Sequence, residues 1–227
     1  MQRTTPVVLN LIIINVLAFL VQNLFTSFNV TDWGALHYFG SRDFKPHQLV
    51  THMFLHGGIT HIFFNLFTLF MFGTMLENYI GSKKFLLFYM ICGLGAGLLT
   101  QLSIPYSAEL FAKSADGLDA ASGHGLTMAE VVHAYKQEYS MIGASGAIMG
   151  VMAAFAYLFP NTEMFIMFIP IPVKAKYVIP VFILIDLFGG INPSAGDNVG
   201  HFAHLGGAIV GFLLILFWNK TNKKTFY

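Results

Sequence analysis

Charged side chains are scarce in this sequence. Only 10% of its 227 residues are Asp, Glu, Lys or Arg, whereas soluble domains carry about 25%. The net charge is +1, so the chain lacks the basic surface that binds nucleic acid, and we predict no nucleic-acid partner. The shortage of charge excludes an ordinary soluble domain and indicates that most of the surface faces lipid.

Two features of secreted proteins are also missing. The single cysteine, Cys92, lies in an apolar run and cannot form an internal disulfide, so the redox compartment stays undetermined. The first apolar run, residues 7–24, contains amide side chains, among them Asn10, Asn15 and Gln22, and is followed by no small-residue cleavage site. We therefore expect a membrane segment there rather than a cleaved signal peptide.

Long apolar runs are what the sequence has instead. Hydrophobic residues make up 56% of the chain and the mean hydropathy is +0.65. A membrane-spanning helix needs about 20 apolar residues, and only helices satisfy their own backbone in lipid without closing a barrel. We predict an all-α membrane protein, a six-transmembrane-helix bundle that forms a single domain over residues 1–227. The predicted helices lie near 7–28, 57–78, 84–103, 144–159, 176–190 and 199–218.

The positive residues indicate an orientation. With both termini cytoplasmic, eight of the 12 Lys and Arg residues fall on inner flanks and four on outer flanks. Short cytoplasmic flanks are usually the richer in positive charge. The compact six-helix form favours a bacterial cytoplasmic membrane, with an organellar membrane as the alternative.

Two connections between helices stand out. Residues 104–140 are predicted to be an outer loop, flexible over 114–125, in which a capping box from Thr127 to Glu130 starts a short helix. Residues 160–174 contain Pro170 and Pro172 among apolar residues and are predicted to be a membrane-hugging inner loop.

A few polar residues lie inside the predicted helices, where they are costly. With a rise of about 1.5 Å per residue, Ser145, His204 and Asn65 each lie about 20 Å from the inner end of their helix. The three therefore share one level, below the outer surface. His61 lies one turn nearer the outside, on the same helix face as Asn65.

This set of residues suggests nucleophilic catalysis. A serine hydroxyl is a weak nucleophile without a base, and His204 at the same depth can supply one to Ser145. The oxyanion that forms on attack needs hydrogen-bond donors. His61, Asn65 and the Ser145 N–H are predicted to provide them, since backbone N–H groups in a first helical turn lack helical acceptors.

Paired glycines indicate which helices meet. Gly146 and Gly150 are spaced i, i+4 on the predicted fourth helix, and Gly207 and Gly211 repeat that spacing on the sixth. Small residues at this spacing let membrane helices approach closely. We predict that the fourth and sixth helices touch and bring Ser145 within hydrogen-bonding reach of His204.

Taken in order, these motifs resemble the rhomboid family of intramembrane serine proteases. The resemblance covers nearly the whole chain and rests on six helices, His61 with Asn65, the Gly143 to Gly146 motif, and His204 with Gly207. It implies a Ser145–His204 dyad without an acidic third member, an oxyanion hole from His61, Asn65 and the Ser145 backbone, and no cofactor or metal.

The resemblance also implies a substrate and a gate. Transmembrane protein substrates, held in membrane lipid, would be cleaved near the outer face, often at small residues. The fifth helix and the following loop, Gly189 to Gly200, would act as a gate. One departure is Met149, where the family often has an aromatic residue that stacks on the catalytic imidazole. The substrate and the oligomeric state do not follow from the sequence.

Three alternatives stay open. Asp186 in the fifth helix could complete a triad with His204, although the resemblance favours a structural role. The His201–His204 pair, with His52, His56 and His61, could instead hold a metal ion in a metal-dependent membrane protein. A catalytically inactive rhomboid-like protein that binds membrane clients is the third alternative, and the intact Ser145 and His204 argue against it.

Overall fold

The computed structural model describes residues 5–25, 27–165, 172–192 and 199–221, which are mostly helical. In chain order the helices are α1 (Pro6–Leu24), α2 (Val30–Gly34), α3 (Gln48–Thr51), α4 (Ile59–Thr68), α5 (Thr74–Ile80), α6 (Ser82–Lys113), α7 (Ala115–His124), α8 (Met128–Glu138), α9 (Ser145–Leu158), α10 (Ala175–Ile191) and α11 (His201–Thr221). A 3₁₀ turn at His52–Phe54 follows α3, and a π-helical turn at Leu69–Gly73 joins α4 to α5.

Helices occupy all six segments predicted to be in the membrane. Four are long and apolar enough to cross a bilayer: Pro6–Leu24, Ile59–Ile80, Ser82–Lys113 and His201–Lys220. The other two, α9 and α10, are shorter, with 14 and 17 residues. The bundle fits a multi-pass membrane protein, and the count of six crossing helices stays a prediction.

Helix α9 lies at the centre of the bundle. Ten consecutive residues, Gly146 to Phe155, are buried, and the helix packs against α6, α10 and α11. A helix that is apolar on every side belongs in a protein core. The segment that begins with Ser145 is thus surrounded by protein rather than lipid.

The predicted close contact of the fourth and sixth helices, α9 and α11, is confirmed. A Cβ atom added to Gly207 would overlap the Gly146 carbonyl oxygen. One added to Gly211 would lie 2.5 Å from the Cα and carbonyl oxygen of Gly150. Only glycine lets the two backbones approach this closely, as expected for small residues one turn apart.

The predicted loop does not begin at residue 104, because helix α6 continues to Lys113 and contains Pro105. Ile104, Ala108 and Ala112 recur every four residues along this extension and are buried. The extension packs against α7 and α8. A buried apolar face therefore continues the helix past the apolar run.

The segment expected to be flexible, 114–125, forms the whole of helix α7 together with its two end caps. The Ser114 side chain accepts the Gly117 N–H at 3.2 Å and so caps the start of the helix. Gly125, with φ of +63°, ends it in a left-handed conformation that glycine tolerates. The capping box at Thr127 and Glu130 is confirmed and starts α8.

The described residues also form two short antiparallel strand pairs. Strand β1 (Leu36–His37) pairs with β2 (Ser140–Met141), and β3 (Glu163–Phe165) pairs with β4 (Pro172–Lys174). The Gly143 N–H also donates to the His52 carbonyl at 2.9 Å. The chain just before α9 is thus fastened to the connection between α1 and α4. The predicted inner loop at 160–174 contains both strands of the β3–β4 pair. Its residues 166–171 lie outside the described residues.

A buried carboxylate, that of Glu77, fastens the start of α1 at the end of the bundle away from Ser145. Glu77 is 2% exposed and accepts the Val7 and Val8 N–H groups at 3.1 and 2.8 Å, and the Ser82 hydroxyl at 2.7 Å. First-turn N–H groups lack helical acceptors, and a negative charge at a helix N-terminus is favourable. Glu77 therefore caps α1 from a neighbouring helix.

We expect Glu77→Ala to lower the free energy of unfolding by about 2–4 kcal/mol, since it leaves buried donors without their charged acceptor. Unfolding in detergent micelles, followed by circular dichroism, measures the change. Glu109→Ala, an exposed position on α6, is the control and should stay within about 0.5 kcal/mol of wild type. Equal stability of the two variants would contradict the capping role.

Candidate active site

The serine and histidine singled out in the sequence meet in the structure. Ser145 is the first residue of α9, and His204 lies in the first turn of α11. The Ser145 Oγ and His204 Nε2 atoms are 2.8 Å apart. Both residues are half-buried. The close packing of α9 on α11 thus produces a serine hydroxyl hydrogen-bonded to an imidazole.

Asp186 on α10 approaches the same histidine from its other side. Its Oδ1 atom lies 2.9 Å from Nδ1 of His204 and 2.9 Å from Nδ1 of His201. Asp186 is 8% exposed. The sequence left the triad open as an alternative, while the resemblance favoured a structural role for Asp186. The structure places its carboxylate in direct contact with His204.

His61 has a defined donor atom. The Gly57 N–H donates to His61 Nδ1 at 3.3 Å. A neutral imidazole carries one proton, so when Nδ1 accepts, Nε2 is the atom that carries it. His61 Nε2 therefore acts as a hydrogen-bond donor.

Gly143 leaves an open space between this donor and the serine. A Cβ atom at Gly143 would lie 3.0 Å from His61 Nε2 and 3.6 Å from Ser145 Oγ. Its φ of +134° is also one that side chains other than glycine rarely adopt. The missing side chain leaves room beside Ser145 for a reacting oxygen that faces His61 Nε2.

Asn65 lies one turn further along the same helix as His61. It is buried, and its Nδ2 donates to the His61 carbonyl at 3.0 Å. An amide nitrogen has two N–H donors, so a second remains. Among the described residues, no hydrogen bond joins Asn65 directly to Ser145.

Two further histidines, His52 and His56, lie in the segment that precedes α4. Burial lowers the pKa of His52 to about 4. Burial and the neighbouring His61 lower the pKa of His56 to about 4, and the His56 ring stands edge-on to His61 with centroids 5.0 Å apart. Both rings are therefore neutral at neutral pH and add no positive charge near His61.

The structure also bears on the metal alternative, on Met149 and on the predicted gate. Within the described ranges, no group of three His, Cys, Asp or Glu side chains is arranged to hold a metal ion. Met149 is buried one turn after Ser145 on α9. Of the predicted gate, Gly189 lies in α10 against the His201 ring, and residues 193–198 lie outside the described residues.

Comparison with known proteins gives the following similarities. A family model described as Rhomboid domain matches residues 43–220. RHOMBOID-like protein 6, mitochondrial, from Arabidopsis thaliana is 27% identical over 168 residues, which cover 74% of this chain and 42% of that protein. Rhomboid protease GluP from Bacillus subtilis (strain 168) is 31% identical over 166 residues, 73% of this chain and 24% of that protein.

A third relative matches over more of its length. Rhomboid protease AarA from Providencia stuartii is 30% identical over 225 residues, which cover 91% of this chain and 70% of that protein. The chain thus spans less than half the length of the first two relatives and most of the third.

We expect Gly143→Ala to reduce the reactivity of Ser145 toward a fluorophosphonate probe at least about tenfold, because the new methyl group fills the space beside His61 and strains the backbone. The labelling rate in detergent measures this. Gly123→Ala on α7 is a matched control, since a Cβ there meets nothing within 4 Å. Equal labelling of both variants would show that the space is not needed.

Proposed function

The chain belongs to the rhomboid family, and on that premise we propose that it is an intramembrane serine endopeptidase that cleaves transmembrane protein substrates near the outer membrane face. The observation that carries this proposal is the 2.8 Å hydrogen bond between Ser145 Oγ and His204 Nε2. The hydroxyl of Ser145 is the nucleophile and His204 is its general base.

The reaction follows from the roles of these two groups. His204 Nε2 takes the hydroxyl proton as Ser145 Oγ attacks the substrate carbonyl carbon. His204 then gives that proton to the leaving amine, which leaves an acyl-enzyme. Water, activated by the same imidazole, attacks the ester and releases Ser145.

Donors beside the serine support the second part of the proposal. The developing oxyanion occupies the space over Gly143, where His61 Nε2 and the Ser145 N–H can donate to it. The remaining N–H of Asn65 also contributes, once the substrate carbonyl has entered. Preorganised donors of this kind lower the activation barrier, because their hydrogen bonds strengthen as negative charge develops on the substrate oxygen.

The orientation forms part of the proposal. We place both termini on the cytoplasmic side of a bacterial membrane, so that the site lies toward the outer face and the substrate enters from the lipid. The distribution of Lys and Arg supports this orientation. A reporter fused to the C-terminus and assayed in cells tests it.

Cleavage of a substrate with a single transmembrane segment, reconstituted in liposomes, tests the catalytic pair. We expect Ser145→Ala and His204→Ala each to lower the cleavage rate by at least about 10³-fold, since nucleophile and base act as a unit. Ser122→Ala and His133→Ala, both exposed in α7 and α8, are the matched controls and should cleave like wild type.

The same assay separates the alternatives. Cleavage that persists in Ser145→Ala would exclude a serine mechanism. Cleavage that EDTA abolishes would favour a metal-dependent enzyme. Binding of the substrate by wild type without cleavage would favour an inactive client-binding protein.

Asn65→Ala should lower kcat by about 10²-fold while changing KM little, because an oxyanion donor acts mainly in the transition state. Asn219→Ala, at the inner end of α11, removes an exposed amide and serves as the control. A rise in KM at constant kcat would assign Asn65 to substrate binding instead.

A further inference from the structure

Asp186 and His201 form a cluster with His204 on the side of its ring that does not face Ser145. One carboxylate oxygen, Asp186 Oδ1, contacts Nδ1 of both histidines at 2.9 Å. The three side chains are almost buried, with side-chain exposures of 11% for Asp186, 12% for His201 and 18% for His204. Acidic residues in membrane helices are costly and face functional partners.

The spacing on the two helices shows how the cluster is built. His201 and His204 lie one turn apart on α11, and Asp186 and Gly189 lie one turn apart on α10. A Cβ atom at Gly189 would lie 2.5 Å from Cε1 and Nε2 of His201. The absence of a side chain at Gly189 therefore lets the His201 ring lie flush with α10, where its Nδ1 reaches Asp186.

The carboxylate determines which nitrogen of His204 carries the proton. An ionised carboxylate only accepts hydrogen bonds, so Nδ1 of His204 must be its donor. In a neutral ring, Nε2 is then bare and can accept the Ser145 hydroxyl, which lies 2.8 Å away. Without Asp186 nothing described here holds the ring in this tautomer, and the opposite tautomer would leave Ser145 without a base.

Charge compensation points the same way. Once His204 has taken the serine proton it is an imidazolium, in a part of the bundle enclosed by apolar helices. A charge in a low-dielectric environment is stabilised strongly by an opposite charge in contact with it. The Asp186 oxygen is in place before the reaction and needs no rearrangement when the charge appears.

We propose that Asp186 is a positioning residue for His204, that it holds the tautomer which activates Ser145, and that His201 braces the carboxylate from the other side. The proposal rests on the proposed serine endopeptidase function. In this proposal Asp186 on α10, His204 on α11 and Ser145 on α9 form a relay of hydrogen bonds across three helices, rather than an isolated Ser145–His204 pair.

A structural role makes a different prediction. If Asp186 only joined α10 to α11, a substitution that kept both hydrogen bonds would preserve activity. Asp186→Asn is such a substitution, because both histidines contact the same oxygen and the amide carbonyl can accept both protons. The variant therefore can keep α10 and α11 joined, but it removes the charge and no longer fixes the tautomer, because the amide can also turn its NH2 group toward Nδ1 of His204, which then accepts and leaves Nε2 protonated.

The first test is the kinetics of Asp186→Asn on the liposome substrate. We expect kcat to fall by about 10²- to 10³-fold with KM unchanged within about twofold, and the thermal stability to stay near that of wild type. Asp119→Asn, an exposed position on α7, is the matched control and should behave like wild type. An unchanged kcat in Asp186→Asn, with Ser145→Ala inactive, would overturn the proposal and leave the proposed function standing.

His201→Asn tests the brace. We expect a smaller fall in kcat, about three- to tenfold. Combined with Asp186→Asn it should add little to the effect of Asp186→Asn alone, since residues in one hydrogen-bonded network act non-additively. Fully additive effects would remove His201 from the relay.

A second readout does not depend on proteolysis. Nitrogen-15 spectra of histidine-labelled Ser145→Ala protein report which ring nitrogen of His204 is protonated, with His204→Gln supplying the assignment. We expect protonated Nδ1, and loss of this state in an Asp186→Leu, Ser145→Ala double variant. Protonated Nε2 with Asp186 intact would overturn the proposal even if no substrate had been found. Cleavage by Ser145→Ala would instead contradict the proposed function.

Discussion

The glycine contact between α9 and α11 is the constraint on which the rest of the structure depends. The backbones of α9 and α11 lie so close that a side chain at Gly207 would overlap Gly146. Gly211 makes the same contact with Gly150 one turn further along. At this separation the first turns of the two helices place Ser145 Oγ at hydrogen-bond distance from His204 Nε2. A wider spacing would separate the two groups, however well each was oriented on its own helix.

Two buried carboxylates in the bundle are each satisfied by several partners. At one end, Glu77 accepts three donors and caps α1. At the other, Asp186 accepts from two histidines with one oxygen. In lipid an unsatisfied polar group is costly, so each buried carboxylate also fixes the positions of the helices that carry its partners. Stability and site geometry are thus linked through the same side chains.

The parts of this arrangement that follow from local pattern could be predicted from the sequence. Apolar runs marked six segments in which helices form, glycine spacing indicated the contact of α9 with α11, and the capping box marked the start of α8. Pairwise geometry could not be predicted in the same way. That Asp186 reaches both histidines depends on the rotation of α10 and on the space at Gly189. The extension of α6 beyond residue 103 depends on a face that is buried only once α8 packs there.

The strand pair β1–β2 and the bond from Gly143 to His52 have a practical consequence for protein engineering. They fasten the chain on the carboxyl side of α8, while α6 fastens it on the amino side of α7. The turn at Gly125 between them is exposed, and a Cβ there meets no neighbour. A fluorescent protein or affinity tag inserted at this turn would be carried on the hairpin of α7 and α8 without displacing α9.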